Sequence, residues 1–224
     1  MPELALSPAP RYDPWVDSSF GRNMVWLAAI LGAVGLLLYL FVFDTWVVPG
    51  DDPLLTASIL PTLSPEDRIL TRRGTQPIVG ELARCIVPDG SGKYTLGRVF
   101  GRGGDVVEIN NERVTTNGKG PRTRFSCGPV TVVHPVSGDA MPLTCSAEEN
   151  DSSTYQVLAH SEYREGPRTA KVEPGKLFLV SDDRHIHKDS RDFGGVDAAT
   201  CEHVVFRLWG QSFGESSHRF NVLW

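Results

Sequence analysis

The longest unbroken apolar run, residues 24–43 (MVWLAAILGAVGLLLYLFVF), contains no charged side chain. It has the roughly 20-residue length that an α-helix needs to cross a bilayer, and it predicts a transmembrane helix there. A cleaved leader would start nearer the N-terminus, have a shorter apolar core and end at small residues. Here a polar lead, residues 1–23, precedes the span and DTWVVPGDDP follows it. Beyond residue 44 the pattern changes. Short stretches rich in β-branched and aromatic residues (DRILTRR, IVGELARCIVP, YTLGRVFG, DVVEINNERV, VTVVHPV, TYQVLAH, KLFLVSD, EHVVFRLWG) alternate with Gly, Pro, Asn and Asp. That punctuation predicts strands and turns. AEENDSSTYQ and YREGPRTAKVEPG read as polar surface connections, and no second helix of substantial length is expected. The organisation is a tail (1–23), a membrane helix (24–43), one β-rich domain (44–213) and a C-terminal tail (214–224). The fold class is mainly β, a convoluted antiparallel domain on one N-terminal transmembrane helix.

Composition refines this picture at three points. The 224 residues include 16 Pro and 22 Gly, which favour a turn-rich strand fold over a helical bundle. A net charge of -5 offers no electrostatic footprint for nucleic acid, so nucleic acid is not an expected partner. Arg11 and Arg22 precede the span, whereas Asp44, Asp51 and Asp52 follow it before the first basic residue, Arg68. This bias places the N-terminus in the cytoplasm and the domain outside, with Trp46 as an interfacial anchor. Cys127 and Cys145 bracket a hairpin-like segment and are expected to pair in an oxidising compartment; Cys85 and Cys201 lie in apolar strand-like runs and are expected to remain unpaired.

Two stretches could carry chemistry. In LLTASILPTLSPEDRIL, Ser58 is by itself an ordinary strand-end serine, since a nucleophile needs a base. It nevertheless follows the span closely, where an enzyme acting on membrane-tethered peptides would hold its nucleophile. SDDRHIHKDSRDFGG, residues 181–195, has three readings. It could be a solvated charge run. It could be a zinc site in which His185 and His187 join Asp183 or Asp189. Or it could pack beside Ser58, with Asp189 and Arg191 as a structural ion pair.

The ordered segments SILPTL followed by DRIL, RVFGRGGDVVEI, and the stretch containing Asp182, Asp189, Ser190, Arg191, Phe193 and Gly194 resemble the three boxes of the signal peptidase I family. They run behind one membrane helix as far as residue 213, and they favour the third reading. The resemblance implies a β-rich serine endopeptidase of the cytoplasmic membrane that removes signal peptides from exported preproteins and needs no cofactor. Ser58 would be the nucleophile, and Thr56 with the Ser58 N–H would hold the oxyanion. Substrate would add as a strand beside Leu54, Leu55 and Thr56 and beside Tyr94, Leu96 and Gly97, with small pockets selecting small side chains. The bilayer and other membrane subunits would be its remaining partners.

The sequence departs from that pattern at its base. The family's lysine, which burial would keep neutral, falls at Gly97 in YTLGRV. Lys93 lies about 13 Å away along an extended strand. The position of a serine that bonds the family's lysine is His187 here, and an imidazole titrates near neutrality. A Ser58–His187 dyad oriented by Asp189 or Asp182 is therefore one expectation; Lys188, facing the opposite way along a strand, is a weaker base. The other expectation is a catalytically inactive relative kept as a binding or assembly subunit. Ser181 and Asp183 also depart from the family's Gly and Asn.

Overall fold

A computed structural model describes residues 14–151, 153–160, 166–214, 216 and 219–223. Its first unit is helix α1 (Pro14–Phe41), which begins ahead of the expected residue 24 and ends at Phe41. Within it Phe20–Phe41 is apolar and exposed on every face, which suits a bilayer and not water.

The second unit, Phe43–Trp224, is built from antiparallel strands. In chain order these are β1 (Phe43–Val47), β2 (Arg68–Arg72), β3 (Leu82–Ile86), β4 (Tyr94–Arg102), β5 (Val106–Asn110), β6 (Arg113–Thr116) and β7 (Arg122–Val133). They continue as β8 (Ala140–Asn150), β9 (Ser153–Ala159), β10 (Arg168–Lys171), β11 (Lys176–Val180), β12 (Val196–Asp197), β13 (Glu202–Trp209) and β14 (Asn221–Val222). The main sheet has the order β1-β2-β13-β3-β4-β11-β12, with β14 against β13; the other strands form two three-stranded sheets, β10-β5-β6 and β7-β8-β9. The mainly β, convoluted architecture agrees with the pattern of the sequence. Some connections do not. Ala147–Asn150 belongs to β8, Arg168–Lys171 is β10, and the expected tail supplies β14 and the buried Leu223. The first residues of the second connection, 163–165, lie outside the described residues.

A short helix, α2 (Pro53–Ser58), stands where extended chain is expected. The Asp52 carboxylate caps it by accepting from the Leu55 N–H at 3.1 Å, and Pro53 occupies the first turn, where a missing N–H costs nothing. Leu55 and Ile59 anchor it in a core with Leu63, Ile69, Leu82, Leu96 and Val204. Ala57 anchors it in a second core with Leu143, Leu158 and Ile186. A one-turn helix, α3 (Ser190–Phe193), is closed by a capping box between Asp189 and Asp192.

Cys127 and Cys145 pair across the β7–β8 hairpin, with Cα atoms 5.1 Å apart. Cys85 and Cys201, expected to be free, are also paired. The reason is topological: β13 runs beside β3, setting Glu202 opposite Arg84 and His203 opposite Ala83, which carries Cys201 onto Cys85. Their separation of 116 residues hides this in the sequence.

Candidate active site

Ser58 closes the last turn of α2 and is fully buried. Its hydroxyl donates to the Leu55 carbonyl oxygen at 2.8 Å, and its own carbonyl accepts from the Asp183 N–H at 2.9 Å. The Thr56 hydroxyl lies 3.2 Å from the Asp52 carbonyl oxygen and 3.1 Å from that of Pro53, so it points back along its own helix. Among the described residues neither hydroxyl is directed at a basic nitrogen.

The expected dyad is not assembled. His187 is half-buried, and its Nδ1 meets Asp192 Oδ2 at 2.9 Å; the ring is held by Asp192, not by Asp182 or Asp189. Lys188 Nζ meets Asp52 Oδ2 at 2.5 Å. That contact is at the N-terminal end of α2, whereas Ser58 is at the other end, about 9 Å along a six-residue helix. His185 turns to Glu112, with Nδ1 3.0 Å from Oε1. The two histidines thus face different acids, which does not form the shared zinc site that their spacing allowed. His187, Asp189 and Asp192 do bring potential ligand atoms within 4.8 Å of one another. However, both Asp189 oxygens already accept from Arg191, and one also accepts from the Ser181 N–H at 2.6 Å.

At Gly97 the strand packs against β11 with no room to spare. A Cβ there would lie 3.1 Å from Leu179 Cβ and 3.3 Å from the Val180 carbonyl oxygen. Next to it, Arg98 donates through Nε to both oxygens of the fully buried Asp182, at 3.0 and 3.3 Å. Asp182 Oδ2 also accepts from the Thr62 hydroxyl at 2.5 Å. This network ties β4, the segment after α2 and the third box together. Thr62 and Arg98 fall within the sequence motifs, which by themselves assign them no role. Asp189 is pinned by Arg191, and the Ser190 hydroxyl accepts from the Leu179 N–H at 2.9 Å.

Burial opposes the charge on Asp189, but the Arg191 guanidinium and its hydrogen bonds hold the carboxyl down at about 2. Asp183 goes the other way. Burial, reinforced by the Glu112 charge, pushes it up to about 7 against the pull of the Ile186 and His185 N–H groups and of Arg191.

The expected peptide-binding edges do not stand open. Tyr94–Gly97 pairs with β3 on one side; on the other, β11 pairs with β4 only from Arg98 onward, but Thr95, Leu96 and Gly97 are buried, and the Thr95 hydroxyl donates to the Lys188 carbonyl at 3.0 Å. Leu54, Leu55 and Thr56 are helical and offer no strand edge. Leu54, Leu55 and Tyr94 instead line a cavity of about 470 Å³ with Trp46, Asp52 and Lys188, while Leu96 is buried in the core.

Residues 22–209 match the family described as signal peptidase, peptidase S26. The chain is 35% identical over 175 residues to signal peptidase I S of Bacillus subtilis (strain 168), covering 76% of this chain and 79% of that protein. It is 28% identical over 192 residues to signal peptidase I of Bacillus licheniformis, covering 81% and 87%. Signal peptidase IB of Staphylococcus aureus is 27% identical over 125 residues, 55% of this chain and 56% of its own length. With three sequence boxes gathered around one buried network and a family match running through nearly the whole β domain, this chain belongs to the signal peptidase S26 family.

Proposed function

We propose that this chain is a membrane-anchored signal peptidase-family protein that holds signal-peptide-like segments in extended form at the outer face of the cytoplasmic membrane without cleaving them. One observation carries the reading: the Ser58 hydroxyl is fully buried and donates its hydrogen bond to the Leu55 carbonyl, and among the described residues no basic nitrogen is bonded to it. A serine hydroxyl attacks a peptide only when a neighbouring base takes its proton. The match to the signal peptidase family supports capture of signal-peptide segments, because holding an extended peptide by main-chain hydrogen bonds needs no catalytic group. The apolar Phe20–Phe41 helix, the charge bias around it and the paired cysteines support an anchored, exported domain. Its partners would be the signal peptides of exported preproteins, the bilayer, and other subunits of a membrane complex.

The serine endopeptidase reading has one observation in its favour. Asp192 holds His187 by Nδ1, as a carboxylate does for a histidine base. Incubating the purified full chain in detergent with a preprotein separates the two readings. We expect no cleavage, and signal-peptide crosslinking that Ser58→Ala leaves intact. Gly97→Lys should not restore cleavage either, because its Cβ would press on Leu179 at 3.1 Å and on the Val180 backbone at 3.3 Å. Cleavage abolished by Ser58→Ala would overturn the proposal, and its loss in His187→Ala would identify the base.

A further inference from the structure

A cavity of about 900 Å³ opens among the β5–β6 turn, the start of β7 and strands β8 and β9, and Ser58 is not among its lining residues. Arg184, in the loop after β11, is buried and forms part of its wall. The guanidinium donates through Nη2 to Glu148 Oε2 at 2.8 Å, and its central carbon lies 5.0 Å from the Phe100 ring centroid. Nε and Nη1 are also buried, and among the described residues neither has a hydrogen-bond partner. A guanidinium carries five N–H donors, and each donor group left buried and unpaired costs about 1–3 kcal/mol, more where it is charged. Arg184 therefore calls for a further acceptor.

The charges around the cavity decide what kind of acceptor fits. Its two acids are already engaged: Glu148 by Arg184, and Glu112 by the His160 N–H at 2.5 Å and by His185 Nδ1 at 3.0 Å. Arg113 and Arg122 also line it; both are exposed, and among the described residues neither forms an ion pair. Three guanidiniums thus meet two carboxylates that have partners of their own, which leaves positive charge in excess and donors unused. Water supplies acceptors without charge. A phosphate supplies both, carries up to two negative charges, and matches the planar guanidinium fork. Phospholipid is one source of that group, because the chain carries an apolar helix of bilayer-spanning length. We infer that this cavity binds a phosphate group, free or on a lipid headgroup, with Arg184 as its buried anchor and Arg113 and Arg122 at its rim.

The test is isothermal titration calorimetry on the full chain in a non-ionic detergent, with sodium chloride holding the ionic strength constant. One arm titrates inorganic phosphate, the other dihexanoyl phosphatidate, a soluble lipid that carries the same group as a monoester. Phosphate should bind with a Kd below about 10 mM. Two variants should each weaken it at least about tenfold: Arg113→Ala/Arg122→Ala, which changes only exposed side chains, and Arg184→Lys, which keeps the charge but loses the fork. Phosphatidate binding at least about tenfold more tightly than phosphate would identify a lipid headgroup as the ligand, and equal or weaker binding would identify free phosphate. Absence of saturable heat from both ligands would overturn the inference. So would unchanged affinity in Arg113→Ala/Arg122→Ala, a result that stays readable even if Arg184→Lys does not fold. Full affinity in a folded Arg184→Lys would reduce binding to general surface charge and overturn the buried anchor.

Discussion

Asp183 and Asp189 sit in one loop, both fully buried, yet their surroundings move their pKa values in opposite directions. Asp189 has a guanidinium against both oxygens; Asp183 has two backbone N–H groups on Oδ1 and nothing on Oδ2. An unfolded aspartate titrates near 3.9. The stability that Asp189 contributes is thus present above about 4 and lost as pH falls towards about 2. Asp183, raised to about 7, has the reverse sign: it favours the folded chain most below about 4 and progressively less as pH rises to about 7. Burial lowers the pKa of His203 and so pulls stability upward with pH in part of this window; comparing variants cancels that contribution. Asp183→Asn should therefore stabilise the chain relative to the parent at pH 8, on the order of a few kcal/mol, with the difference vanishing near pH 4. Thermal melts of both proteins across that range check this, and parallel pH profiles would refute it. The sequence placed Asp182, Asp189, Ser190 and Arg191 near the site. It could not show that Asp182 serves Arg98 and Thr62, since those partners come from separate segments joined only by folding.

At the scale of elements, the strands were legible because β-branched runs between Gly and Pro turns carry their own signal; β2, β4, β9, β11 and β13 all coincide with such runs. Helix α2 departs from the strand that the family resemblance implies, although its signal is present: Asp52 followed by Pro53 is a helix-start pair. The difference matters for the site. In a helix the Leu55 carbonyl lies within reach of the Ser58 hydroxyl, and the same turn removes one of the two expected peptide-binding edges. Asp52 stabilises the helix twice, as N-cap to Leu55 and as partner to Lys188. Asp52→Ala should cost about 1–2 kcal/mol in chemical denaturation, while Asp52→Asn, which keeps a capping oxygen, should cost less. Equal losses for the two variants would show that the ion pair, and not the cap, holds α2.

For the whole molecule, what the sequence withheld was the order of the strands. Three antiparallel neighbours in the main sheet are far apart in sequence: β13 enters between β2 and β3, and β11 joins β4 across two smaller sheets. The two disulfides record this difference. Cys127–Cys145 closes 18 residues of a hairpin that already pairs locally, and Cys127 is exposed. Cys85–Cys201 closes 116 residues, and both of its cysteines are buried in the core with Val99, Leu179 and Val196. In chain-entropy terms the longer closure restricts the unfolded state more. Replacing Cys85 and Cys201 together with Ala should therefore lower stability by about 3–5 kcal/mol, because apolar sulfur contacts are lost as well. The Cys127→Ala/Cys145→Ala pair should lose no more than about 3 kcal/mol, with one sulfur already in contact with solvent. Denaturant titrations of the two double variants in detergent give the ranking directly. If the hairpin disulfide proved the more stabilising of the two, the β3–β13 junction would not be the closure that holds the main sheet together.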